Sequence, residues 1–284
     1  MDRREAMLRE LNLYPQWKLR VRSAQVVQEE PAPISIAAEA IAPTVIDKKT
    51  PLSSSPSAVS RRSDIGNLGW TELKQQVRDC NACKLRAGCK QTVFGVGDEK
   101  ADWLFVGEGP GADEDTLGEP FVGQAGKLLD NMLMAMKLKR GNNVYIANIV
   151  KCRPPGNRNP EADEIATCLP YLQRQIELIQ PKMIVALGKV ASNALLGKDA
   201  TLASLRGKLH DYRVAPASVP GEDAVEESSR LTPLPQQTAV PHRLGVPIPL
   251  IVTYHPAYLL RSPMEKAKAW QDLKLAVKTM EGGI

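Results

Sequence analysis

Several residues able to polarise or grip a small ligand sit at the ends of apolar runs. In "VTYHPAYLLR", His255 closes the run "PLIVTY" and is followed at once by a proline. In "WLFVGEGPGADED", Glu108 follows another apolar run, and in "YIANIVKCRPP", Asn148 sits within one. A further run, Met183–Leu187, ends at Gly188–Lys189. A carboxylate, an amide and an imidazole together suit proton transfer or stabilisation of developing charge. Taken singly, the Asn reads equally well as a turn or cap, and the Glu as a solvated side chain. Their shared position argues for more, because open α/β sheets bind ligands beyond the carboxyl ends of their strands. Gly107, Gly109 and Gly111 form G-x-G-x-G, which is not the dinucleotide fingerprint, and "GQAGKLL" is not a phosphate-binding loop. These glycines read instead as backbone that must approach a ligand closely. Phe121, in "GEPFVGQAG", stands between polar residues and glycines, as a core plug or as a stacking platform for a flat ligand.

The five cysteines suggest metal chemistry rather than a disulfide framework, since their number is odd. Cys80 and Cys83 form C-x2-C, Cys152 follows the Asn148 run, and Cys168 comes sixteen residues later. Such a set holds either a four-thiolate zinc or a [4Fe–4S] cluster. Structural zinc commonly uses two close pairs, so the wide second spacing favours the cluster. Cys89 is left over and receives no ligand role.

The elements that must position these groups follow from hydrophobic pattern. Continuous apolar runs at Trp103–Gly107, Val144–Val150, Met183–Leu187 and Leu250–Tyr254 read as strands covered on both faces. Helical patterns occupy Thr71–Arg78, Gln124–Leu138, Glu161–Leu178, Lys189–Leu196 and Lys266–Met280. Their alternation predicts a three-layer αβα sandwich around a central, mainly parallel four-stranded sheet. The domain is expected at 68–284, with a proline-rich surface insertion at 214–248. Residues 23–67, rich in Pro, Ser and Ala, read as a disordered linker, and 1–22 as a short N-terminal element. No apolar run is long enough to cross a bilayer, and the charged N-terminus lacks a signal-peptide core, so a cytoplasmic protein is expected. A net charge of +5 permits nucleic-acid binding without requiring it.

Five separated motifs then match in order. "GEGPGADED", "PFVG", "NIVKCRPP", the four-cysteine spacing and "HPAYLLR" together resemble the family 4 uracil-DNA glycosylases, the iron–sulfur branch of the uracil-DNA glycosylase superfamily. The resemblance covers roughly 69–213 and 248–280. It implies hydrolysis of the N-glycosidic bond of uracil in DNA by a monomer. By position, Glu108 resembles the acidic residue that orients water, and Phe121 the ring that stacks on the flipped base. Asn148 resembles the amide that reads the uracil edge, with Gly107 and Gly109 beside the substrate. His255 resembles the group that stabilises the departing base, and Cys80, Cys83, Cys152 and Cys168 the ligands of a [4Fe–4S] cluster. A duplex base must be flipped to be reached; Leu259 and Leu260 are then expected to wedge the gap, and Arg261, Arg153 and Arg158 to contact the DNA backbone. A non-catalytic uracil- or DNA-binding module of the same superfamily is the alternative, and a zinc-bound nucleotide hydrolase a second rival. Separately, "LRELNLYPQWKLR" resembles the peptide by which the psi subunit of the bacterial clamp loader grips the chi subunit, which implies a replication partner bound through residues 8–20.

Overall fold

The computed structural model describes residues 65–213 and 247–282. The expected N-terminal element, nearly all of the linker and nearly all of the 214–248 insertion lie outside the described residues. Within them, Ile65 is already buried against the core, three residues before the expected domain start.

The four apolar runs form parallel strands: β2 (Trp103–Gly107), β3 (Val144–Asn148), β4 (Met183–Leu187) and β6 (Ile248–Thr253). Their registers pair Gly107 with Asn148, Val106 with Ala186, and Leu187 with Thr253, so their carboxyl ends lie level along one edge. The sheet has six strands rather than the expected four, in the order β1-β3-β2-β4-β6-β5. The two additions are antiparallel edges, β1 (Val96–Gly97) on β3 and β5 (Leu209–Tyr212) on β6. A two-residue strand carries no periodicity, and β5 is largely exposed, so neither resembles the buried runs.

Alternate strand residues feed two cores, as a pleated sheet requires. Leu104 and Val106 pack on one face with α1 (Trp70–Arg78), α5 (Ala162–Ile179) and α6 (Lys189–Leu196). Trp103 and Phe105 pack on the other with α4 (Gln124–Ala135) and α9 (Lys266–Glu281). This is the expected three-layer sandwich. Shorter helices complete it: α2 (Leu85–Gly88), α3 (Ala112–Leu117), α7 (Leu202–Leu205) and α8 (Pro256–Arg261). The chain passes from β2 to β3 on one side and then to β4 on the other, so the strand order reverses at β2. Such a reversal opens a crevice at the carboxyl ends. Among the described residues, no helix is long and apolar enough to cross a membrane.

Candidate active site

The residues at the strand ends meet. A side chain on Gly107 would place its Cβ 2.4 Å from Asn148 Oδ1 and 2.5 Å from Phe121 Cζ, so only glycine lets the amide and the ring approach across β2. The Phe121 ring centroid lies 5.5 Å from that of His255. Gly188, with φ +92°, would press a Cβ to 3.0 Å from the Cβ of His255. Phe121, Asn148 and His255 thus crowd one small site. Glu108 follows Gly107 at the same edge, its carbonyl accepting from the Val150 amide at 3.2 Å. Gly109 serves packing, since its Cβ would meet Val150 Cγ2 at 2.8 Å.

Phe121 is 6% exposed and has a φ of +56°, a left-handed conformation that is strained for an aromatic residue. Two side chains that the sequence reading missed hold it there. Arg140 donates from Nη1 to Pro120 O at 2.9 Å and from Nη2 to Phe121 O at 2.8 Å. Glu114 Oε1 accepts from the amides of Val122 (2.9 Å) and Gly123 (3.1 Å), while Oε2 accepts from Gly111 (3.1 Å). Glu114 carries a sequence signal, being the acid three residues into a helix that reaches back to its cap. Arg140 carries none.

His255 is positioned by its neighbours on both sides. Thr253 O accepts from the Gly188 amide at 2.8 Å, and Thr253 Oγ1 donates to the buried Asp272 at 2.8 Å. Arg206 also bonds Asp272 and lies over the Tyr254 ring, which stacks on Tyr258. His255 is itself the N-cap of α8, with Pro256 at the first helical position. Its Nδ1 accepts from the Ala257 amide at 3.2 Å. That bond assigns the proton to Nε2, which makes it a donor. Burial, with the Arg261 charge, pushes the imidazole down to about 4, so it is neutral at physiological pH. Burial alone raises the Glu108 carboxyl above its ordinary range. The Asn148 side-chain oxygen is fully buried and has no hydrogen-bond partner among the described residues. Such an atom is destabilising in the free protein and is expected where a ligand completes it.

Cys80, Cys83, Cys152 and Cys168 line one cavity with Lys151 and Arg86. Among the described residues, no three Cys, His, Asp or Glu side chains close to the spacing of a single bound ion; the four thiols stand around a space instead. Four thiols lining one cavity are a donor set of the kind that thiolate-ligated metal groups use. Burial raises the Cys168 thiol to about 12 and raises Cys83 and Cys152 too. Cys89 lies within hydrogen-bonding reach of the Cys152 thiol, and Arg86 Nη1 stands 3.5 Å from its sulfur.

Two expected DNA contacts are redistributed. Leu259 is 1% exposed and packs inward, whereas Leu260 is 43% exposed. Arg158 forms a two-pronged pair with the buried Glu164, at 2.9 and 2.7 Å, and therefore clamps the start of α5 rather than facing solvent freely. Arg153 donates to Asn157 Oδ1 at 2.7 Å, and Arg261 is exposed.

The sequence profile of the Uracil DNA glycosylase superfamily matches residues 94–274, a span that holds Glu108, Phe121, Asn148, Cys152, Cys168 and His255 but not Cys80 and Cys83. The chain belongs to the uracil-DNA glycosylase superfamily. A type-4 uracil-DNA glycosylase of Pyrobaculum aerophilum is 36% identical over 208 residues, covering 72% of this chain and 91% of that protein. The type-4 enzyme of Archaeoglobus fulgidus is 36% identical over 72% of this chain and 89% of its own length. A Bacillus phage SP01 DNA polymerase is 35% identical over 41% of this chain but only 13% of that protein.

Proposed function

We propose that the protein is a uracil-DNA glycosylase that flips uracil from DNA and hydrolyses its N-glycosidic bond, leaving an abasic site and opening base excision repair. The observation that carries this reading is the buried Asn148 oxygen, without a partner among the described residues, crowded with Phe121 against Gly107, with the His255 ring against Phe121. An Asn amide presents an acceptor for uracil N3–H and a donor for O4. Cytosine offers no N3–H and a donor in place of O4, so buried groups would stay unpaired. Phe121 offers a ring face to the flipped base. Uracil leaves as an anion with charge developing on O2, and a donor fixed at that point stabilises the transition state more than the ground state. A neutral imidazole whose tautomer is set by α8 is such a donor. The sugar becomes oxocarbenium-like, and ionised Glu108 orients water and opposes that positive charge.

Cys80, Cys83, Cys152 and Cys168 would hold a [4Fe–4S] cluster, which supplies covalent ties between the segment before α2 and the chain after β3. Those residues lie apart from the bond being cut, so the cluster's role is structural. DNA as substrate fits a cytoplasmic enzyme, with residues 8–20 as the tether for a replication partner of the chi type. The superfamily profile and the type-4 relatives support catalysis over the alternative of a non-catalytic uracil-binding module.

The test is release of uracil from a dU-bearing oligonucleotide, read as an alkali-labile nick. Cleavage of dU strands with dC and dT strands intact is expected; binding without cleavage would instead favour the non-catalytic module. The divided leucine pair adds a second expectation. Leu260→Ala should lower kcat/KM on duplex about tenfold or more while sparing single-stranded substrate, because flipping a paired base costs a few kcal/mol that a wedge offsets. Leu259→Ala should lose about 2–5 kcal/mol of stability, seen as a lower denaturant midpoint, because it empties core volume. Equal losses on both substrates for Leu260→Ala would remove it from the wedge role.

A further inference from the structure

Lys151 joins the two halves of this site. Its side chain is 1% exposed. Its Nζ donates to Asn148 O at 3.0 Å and to Gln175 Oε1 at 2.7 Å. Gln175 is braced in turn, donating from Nε2 to Phe94 O at 3.1 Å and to the Tyr145 hydroxyl at 3.3 Å. The Lys151 amide donates to Cys168 Sγ at 3.2 Å, and its side chain lines the cavity ringed by the four cysteines.

A buried ammonium demands an opposite charge. Among the described residues no carboxylate pairs with Lys151; its Nζ bonds two neutral oxygens, and the cavity it lines adds four thiols and the Arg86 guanidinium. Metal-bound thiolates at the cysteines beside it would supply that opposite charge. Lysine also does here what an arginine or an apolar residue would not. Its compact ammonium has three donors, and two already grip the Asn148 carbonyl and Gln175. The first of those bonds closes the turn that leaves β3, from Asn148 to Lys151, the residue directly before Cys152.

We propose that Lys151 is a positioning residue that couples the cysteine site to the uracil-reading amide. Its ammonium is the internal counter-charge of the cluster, and its bond to the Asn148 carbonyl holds the backbone that aims the Asn148 side chain. The inference rests on the iron–sulfur reading of the four cysteines. Net charge and hydrogen bonds to sulfur are the protein's main levers on a cluster's potential, and both converge on this one residue. A reduced cluster carries one more negative charge than an oxidised one, so a nearby cation favours reduction.

The test uses the full-length protein purified with its iron. Iron and acid-labile sulfide are measured first; wild-type protein that binds neither would overturn the cysteine-site reading itself, independently of any variant. The midpoint potential is then compared among wild type, Lys151→Gln and Lys151→Met. Both variants should shift to more negative potential. Lys151→Met should also show a several-fold rise in KM for dU strands, exceeding its fall in kcat. Lys151→Gln keeps a donor for the Asn148 carbonyl and should show the smaller rise in KM. Should Lys151→Met fail to fold, the potential of Lys151→Gln decides alone. A potential equal to wild type in an iron-loaded variant overturns the counter-charge role. A KM unchanged in Lys151→Met overturns the coupling to Asn148.

Discussion

Replacing His255 with alanine is expected to lower kcat for uracil release on the order of 10²–10³-fold, the usual consequence of deleting one fixed donor at a developing oxyanion. KM should change little, because the donor acts where charge appears and not on the neutral base. The proposed mechanism also carries a pH signature. His255 accepts a hydrogen bond at Nδ1, and burial holds the imidazole down to about 4. The donor is therefore neutral throughout the physiological range. The wild-type pH–rate profile should lack any limb near 6.5, the ordinary histidine value. The acidic limb that does appear should belong to Glu108, whose carboxyl burial raises it. Catalysis needs the carboxylate, so the rate falls as pH falls through that raised value, and Glu108→Gln should abolish the limb along with most of the activity. A limb near 6.5 that disappears in His255→Ala would show an imidazolium or a titrating base instead. Stability carries the same sign. Between about 6.5 and about 4 the unfolded chain takes up a proton that folded His255 refuses, so this residue weakens the fold as pH drops through that window, and His255→Ala flattens the slope.

The parts of this molecule legible in sequence are those fixed by long, one-sided patterns. Four buried parallel strands read as unbroken apolar runs, and the polar residue ending or interrupting each run marks the crevice, because α/β sheets place ligands there. The convergence of Phe121, Asn148 and His255 follows from that rule, and the structure joins them through Gly107 and the ring contact. Glu108 is brought to the same edge by its place after β2, without a side-chain bond among the described residues to hold its carboxylate.

What stayed hidden depended on short elements and on distant partners. Helix α8 spans only Pro256–Arg261, too few residues for a hydrophobic phase to show, so sequence could not decide that Leu259 turns inward and Leu260 outward. Arg158 looks like a free cation until the start of α5 brings Glu164 beneath it. The strained backbone of Phe121 is set by Arg140, nineteen residues away, through a contact with no local pattern. Lys151 is hidden for the opposite reason: a lysine beside a cysteine in "IVKCRPP" reads as surface charge, and only the layer of α5 over β3 shows that it is buried.

Asn148→Leu should separate activity from stability more sharply than any other substitution at this site. The two side chains are of similar shape, so the crowded space beside Gly107 and Phe121 is preserved. The amide's bonds to uracil are both lost, and each hydrogen bond to a buried partner left unpaired costs about 1–3 kcal/mol. For two bonds, kcat/KM should fall on the order of 10²- to 10⁴-fold. In the free protein the effect reverses. The Asn148 oxygen is buried with no partner, and an apolar replacement removes that penalty, so the variant should unfold at higher denaturant than wild type. The main-chain bond from Lys151 Nζ to Asn148 O is untouched by the substitution, so any loss of activity belongs to the amide itself. The measurement pairs a denaturation curve with uracil release from the same preparation. Lower activity with higher stability identifies a residue whose unmet hydrogen bond is kept for substrate. A variant that is both less active and less stable would mean that the amide is satisfied within the protein and that its place beside Phe121 and His255 is only packing.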